Sequence, residues 1–303
     1  MRSWGVLLLV VVAAACGGSS GPNTTTAAGA DRTFPADALA IRANSDVAVG
    51  TERLLVGVAR PDATRLGSPD DPVTLEVSPA EEVSGGVQRA PGVFTWIVPD
   101  VVGLYRAVFD FDHAGTWQVT VAPEEGPPLE PVLFSVLDRS CSAPDAADRG
   151  LAQCALQVGD TAPLVASPTG DEFPLDEITT DLEPDPRMYE LSLDEALADG
   201  RPTVVVFATP AFCQSQACGP LLDNTKTLVD DHPEVDFVHV EVYRGFRQEG
   251  FDPTDPEALA PAVIAFGLLS EPWVFVVDAS GVITARFEGV MDASELDAAL
   301  DVS

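Results

Sequence analysis

The side chains of this chain best suited to chemistry are its cysteines, and two of them, Cys213 and Cys218, sit with four residues between them in a turn-like segment, Thr209 to Pro220. Ahead of that segment, Val204-Val205-Val206-Phe207-Ala208 is a short, β-branched apolar run, the pattern of a strand buried on both faces. Behind it, Leu221, Leu222, Thr225, Leu228 and Val229 recur at helical spacing as far as His232-Pro233. Thiols placed between a buried strand and a helix start meet unpaired backbone N–H groups and the positive end of the helix dipole, both of which favour the thiolate. The chemistry this allows is reversible thiol–disulfide exchange, and the alternative is a structural disulfide. On an unbroken helix residues five apart are separated by about 7.5 Å of rise, beyond the roughly 7 Å Cα limit for a bridge. Cys213 must therefore lie in the turn, or the helix must unwind. Proline suits the first helical position, so Pro220 predicts a helix starting near Gly219-Pro220 with both cysteines in the turn.

The remaining cysteines set the compartment. Arg2 followed by the apolar run Val6 to Ala15 is too short to span a bilayer and has the form of an export signal. It ends in Ala13-Ala14-Ala15-Cys16, which resembles a bacterial lipobox with Cys16 as the lipidation site and also fits an A-x-A cleavage site. Residues 1–16 are thus expected to be a signal peptide and 17–34, rich in Gly, Ser and Thr, a flexible tether. An exported protein is disulfide-permissive, and with Cys16 lipidated four cysteines remain, which allow three connectivities. Local pairing, Cys141 with Cys154 and Cys213 with Cys218, is the simplest, and the crossed alternatives stay open. Cys141–Cys154, in the linker 139–157, has acidic neighbours and nothing to activate a thiol. It reads as a structural staple contributing on the order of 3 kcal/mol.

The net charge of -32, with Lys226 the only lysine, argues against nucleic acid or an anionic membrane surface as partner. Membrane contact is expected through the lipid anchor alone. Hydrophobic residues at 46% suffice for packed cores, and 303 residues have room for about two domains.

Residues 35–138 alternate as half-buried strands do, at Leu54–Val58, Val73/Leu75/Val77, Val93/Thr95/Ile97, Tyr105 to Phe111, Trp117 to Val121 and Val132 to Val136. Such a series predicts an antiparallel β-sandwich. The hairpin from Gly103-Leu104-Tyr105 to Ala114-Gly115-Thr116-Trp117 and Val121 resembles the last hairpin of immunoglobulin-like domains on bacterial surface proteins. A spacer or a partner-binding module is the expected role. Residues 158–303 read as an α/β domain. A helix begins at Ser192 with Glu195 as a capping box, and the central strand and the cysteine turn follow. Next come a strand around Phe237–Val242, a helix over about 256–266, and Ser270-Glu271-Pro272-Trp273. A hairpin and a last helix capped by Asp292 and Glu295 close the chain.

That order resembles the thioredoxin superfamily over about half the chain. The matching features are the strand ending Phe207-Ala208, the cysteines after it, Gly219-Pro220, Pro272 before a strand, and Gly289. The resemblance implies that Pro272 is cis and faces the cysteines, giving Pro272 with its neighbours Glu271 and Trp273 the substrate-binding position. Cys213, closer to Phe207, takes the nucleophilic role and Cys218 the resolving one. The implied activity is extracytoplasmic exchange with protein thiols or disulfides, without cofactor or metal. Four residues between the cysteines depart from the family's two. Cys218-Gly219-Pro220-Leu221 could also overlay the family tetrad, with Leu221 in place of its second cysteine. The four-residue gap after Thr209-Pro210 is similar to that of some peroxiredoxins, whose earlier motif proline is missing here. A copper-handling lipoprotein is a further alternative, with His113, His232 and His239 as the only histidine candidates.

Overall fold

The structure is a computed structural model, and it describes residues 34–81, 86–138 and 154–301. The expected signal peptide and most of the tether, with Cys16, and the linker through residue 153, with Cys141, lie outside the described residues.

The β-rich half contains β1 (Leu39–Arg42), β2 (Gly50–Ala59), β3 (Arg65–Leu66), β4 (Val73–Pro79), β5 (Gln88–Val98), β6 (Val102–Phe111), β7 (Gly115–Pro123) and β8 (Val132–Val136). The strands run in one antiparallel path, β1-β2-β6-β5-β4-β7-β8, with β3 on β2. An isolated bridge between Ala48 and Leu137 brings the two ends together, so the path is nearly closed. The expected pair of separate sheets is therefore joined, and β5 joins it. Its residues up to Gly92 pair with β4 and those from Val93 with β6. Pro91-Gly92 is the corner where the strand changes layers. A Cβ on Gly92 would lie 2.5 Å from Val73 Cγ2, so the corner leaves no room for a side chain. Past it Val93 faces out and Phe94 packs against the core of Tyr105, Trp117, Phe111 and Leu75, a correction to the expected inward Val93.

The α/β half has a four-stranded sheet, β10-β9-β11-β12, made of β9 (Thr203–Ala208), β10 (Asp236–Glu241), β11 (Trp273–Val277) and β12 (Ile283–Glu288). β10 runs parallel to β9, and β11 antiparallel to both β9 and β12. Its helices are α1 (Leu175–Ile178), α2 (Leu193–Ala198), α3 (Cys218–Lys226), α4 (Pro261–Ala265) and α5 (Ala293–Leu300). Val205, Phe207 and Phe275 pack with α2 and α4 on one face, while Val204, Val206 and Val274 pack with α3 and α5 on the other. Two covered faces explain why β9 is apolar without alternation.

Helix boundaries follow local chemistry. The Ser192 and Asp292 N–H groups donate to Glu195 and Glu295 at 3.2 and 3.1 Å, closing the two expected capping boxes. The helix expected over 256–266 is broken into a 3₁₀ turn at Pro256–Ala258 and α4, because Ala260, ahead of Pro261, is held extended.

The two halves share a buried interface. Leu55 and Leu104 of the β-rich half pack on Val290, and Arg53 forks onto Glu295 with both contacts at 2.9 Å. Arg286, with a side chain 6% exposed, bridges Asp46 and Glu52. Breaking a buried pair from one side leaves uncompensated charge. Arg286→Met is therefore expected to cost about 3–5 kcal/mol, read as a lower denaturant midpoint in a single transition. A loss below about 1 kcal/mol would contradict a buried, paired Arg286.

Candidate functional site

The site grows from the C-terminal ends of the parallel strands β9 and β10, the end of an α/β sheet where connecting loops gather. After Ala208 the chain turns, Phe212 N–H donating to Thr209 O at 3.1 Å, and reaches Cys213. Gln216 then adopts φ 61°, the left-handed region, and reverses the backbone ahead of α3. This reversal brings the Cα atoms of Cys213 and Cys218 to 6.1 Å, inside the range for a disulfide, and the two sulfurs are bonded. Cys213 lies in the turn as expected. Cys218 is the first residue of α3, two positions earlier than the helix start read from Pro220, with Ala217 as N-cap.

The two sulfurs have different surroundings. Cys218 is fully buried at 0% and packs with Leu221, Leu222 and Val206, whereas Cys213 is half-buried. Cys213 Sγ receives the Cys218 backbone N–H at 3.3 Å and lies 3.3 Å from Ser215 Oγ. The first turn of α3 carries no acidic residue. These features stabilise negative charge on Cys213. Lys226, at the far end of α3, is tied to Asp181 and Asp223 at 2.9 and 2.7 Å. Beside Cys213, Phe212 meets Tyr243 and Phe251 at ring-centroid distances of 5.9 and 5.0 Å, a half-buried aromatic platform.

The Glu271–Pro272 bond is cis. Trp273 pairs with Phe207 across β11 and β9, which sets Pro272 level with Ala208 at the sheet end that carries the cysteine turn. Trp273, expected to bind substrate, is instead a core residue, 1% exposed and stacked on Phe275 at 5.6 Å. A side chain starting a central strand between two covered faces has no route to the surface. Pro272 is also buried, and its carbonyl accepts from Gly289 N at 2.9 Å. Of these three, Glu271 alone is half-exposed, and burial pushes its carboxyl above the ordinary range.

Supports that sequence reasoning missed hold both loops. Ser270 Oγ donates to Glu288 at 2.8 Å and accepts from Trp273 Nε1 at 3.2 Å, and Glu288 also accepts the Ser45 N–H at 2.6 Å. Glu241, at the end of β10, accepts from Thr180 N and Oγ1, each at 2.8 Å, and Thr180 Oγ1 accepts from Ala211 N at 3.2 Å. A carboxylate closing an apolar strand was the available signal for Glu241.

The other expected residues are scattered. Cys154 is disulfide-bonded and 6% exposed, and Cys141 lies outside the described residues. His113 contacts Asp112, His232 contacts Asp297, and His239 is buried against Tyr189. Among the described residues no cluster of three metal-ligating side chains occurs, and no helix is long and apolar enough to cross a membrane.

His239 braces the start of the cysteine turn. Its Nε2 lies 3.1 Å from Ala208 O, so Nε2 carries the proton, and Nδ1 accepts from Tyr189 Oη at 2.6 Å. Burial lowers its pKa to about 4. His232 is opposed by burial but raised above its ordinary value by Asp297 and Glu234. The depressed value at His239 makes its stabilising contribution complete above about pH 6.5 and lost as pH falls towards 4, on the order of 3 kcal/mol in all. A chemical-shift titration is expected to show His239 neutral to about pH 4 while His232 titrates above its ordinary value. A His239 midpoint near 6.5 would contradict the buried, neutral imidazole.

No family model matches the chain, and no curated protein matches it. Among solved structures it is similar to a protein described as thiol:disulfide interchange protein DsbE from Chlorobium tepidum, at 16% identity, covering 49% of this chain and 98% of that one, with a TM-score of 0.35. It is also similar to a thioredoxin-family thiol:disulfide interchange protein from Chlorobium tepidum TLS, at 17% identity, 49% and 98% coverage and a TM-score of 0.33. A thiol peroxidase from Chromobacterium violaceum matches at 14% identity, 49% and 87% coverage and a TM-score of 0.32. Likeness at this level spans half the chain and carries no functional weight of its own.

Proposed function

We propose that Cys213 and Cys218 are the redox couple of an extracytoplasmic thiol–disulfide oxidoreductase, carried on a thioredoxin-like α/β half. The observation that carries this reading is the asymmetry of the bonded pair. A half-buried Cys213 receives a backbone N–H and a hydroxyl, and a fully buried Cys218 stands behind it. A partner can reach only the first sulfur, and only the second can resolve the product.

In the reducing direction the Cys213 thiolate attacks a partner disulfide, forming a mixed disulfide and releasing one partner thiolate. Cys218, deprotonated, then attacks Cys213 Sγ, closing the intramolecular bond and freeing the second partner sulfur, which takes up a proton. The partner gains two electrons and the cysteine pair loses two. Run backwards, the same steps oxidise a partner dithiol. The Phe212–Tyr243–Phe251 platform supplies apolar surface beside Cys213 for a partner segment, and Glu271 flanks it from the loop of Pro272.

Export of the chain and lipid anchoring through Cys16 belong to the same proposal, supported by the sequence of residues 1–16 and by disulfide bonding at Cys154 and Cys213–Cys218, which fits an oxidising compartment. The β-rich half is proposed as immunoglobulin-like. It acts as a brace, since Ser45 holds the Glu288 carboxylate that secures Ser270 beside Pro272.

Cys218→Ser is expected to accumulate a mixed disulfide with insulin chains at Cys213, seen as a mass adduct, while Cys213→Ser forms none and both lose dithiol-driven insulin reduction. Equal activity in the wild type and Cys213→Ser would overturn the assignment, and peroxide turnover with dithiol would place the pair among peroxidases instead.

A further inference from the structure

A pocket of about 230 Å³ lies beside the aromatic platform, between Val242-Tyr243 after β10, the segment 253–259 and the loop of Pro272. That is below the roughly 300–1,000 Å³ of small-molecule sites and suits a single long side chain. Leu259, Val263 and Leu268 give it apolar walls, and Tyr243 and Glu271 line it as well. Tyr243 is the ring that meets Phe212 at 5.9 Å, so the pocket begins one side chain away from the residue next to Cys213.

The Glu271 carboxylate is partly exposed and has no hydrogen bond or ion pair among the described residues. Its charge is felt at Tyr243, whose hydroxyl is held above its ordinary pKa by burial first and by Glu271 next. Asp255 adds a second carboxylate, and no lysine, arginine or histidine lines the pocket. A half-buried carboxylate without a counter-charge is left poorly solvated, so an entering cation gains a partner without displacing an internal one. Lysine and arginine meet both demands of the pocket, since their apolar stems lie along the leucine and valine walls while the charged head reaches Glu271. The net charge of -32 favours the approach of a cationic partner from further away.

We propose that the exchange partner is a polypeptide with a lysine or arginine about two to four residues from its reactive cysteine, that basic side chain entering this pocket and pairing with Glu271. The spacing is that of an extended segment, at roughly 3.3 Å per residue, crossing Phe212 and Tyr243. The inference rests on the redox reading of Cys213 and Cys218 and adds to it the choice of partner.

The test uses the reduced full chain and two isomeric peptides, each with one arginine and one cysteine held as a mixed disulfide with thionitrobenzoate. The arginine stands about three residues from the cysteine in one and about ten in the other. Cys213 attacks the mixed disulfide and Cys218 resolves the adduct, so that the cysteine pair gives up two electrons and thionitrobenzoate and the peptide thiol are released. Both isomers carry the same charge, so general attraction to an acidic protein acts on them alike. The peptide with the nearer arginine is expected to react about tenfold faster or more at low concentration. Glu271→Gln should bring the two rates within about threefold, and citrulline in place of arginine, similar in shape and uncharged, should do the same on the unaltered protein. Equal rates for the two isomers, or a full preference that survives either change, would overturn the pocket while leaving the redox couple standing. No release of thionitrobenzoate from either peptide would overturn the couple and this inference together.

Discussion

The site depends on a backbone reversal. Five positions along a helix hold two cysteines too far apart to bond, and the chain closes the gap by leaving α3 unformed until Cys218 and turning through a left-handed Gln216. The first consequence is a bond across 6.1 Å of Cα separation. The second is an inequality between the sulfurs, since the residue in the turn stays near solvent while the residue on the helix enters the core.

A turn can hold that geometry only if both its ends are fixed. β9 fixes one end, buried on both faces, with its last carbonyl held by His239. α3 fixes the other through Leu221 and Leu222 and through Asn224, whose Nδ2 donates to Met291 O at 2.8 Å. The loop of Pro272 has its own support in Glu288, which reaches across to Ser45 of the β-rich half. The β-rich half is thus coupled to the α/β half by buried ion pairs and packed side chains.

Much of this was legible in the sequence. All six alternating segments of the β-rich half form strands, because alternation records a sheet with one buried face. β1 and β3 were not legible, since one is a four-residue edge strand with exposed Leu39 and Ile41 and the other has two residues. The Pro91-Gly92 corner reads in sequence as an interruption, although the strand continues through it onto another partner. In the site, the cysteine turn followed from the strand run and the helix pattern around it. Trp273 was misplaced because nearness to Pro272 along the chain says nothing about which face of β11 it takes. Ser45, Glu288 and Thr180 were invisible because their roles arise from contacts spanning 18 to 243 positions.

The most direct measurement is the order in which the two thiols react in the folded, reduced protein, followed by timed iodoacetamide labelling and mass spectrometry. Cys213 is predicted to label quickly, with Cys218 protected until denaturant is added. Labelling of Cys218 first, or of neither thiol without denaturant, would contradict a surface sulfur backed by a buried one.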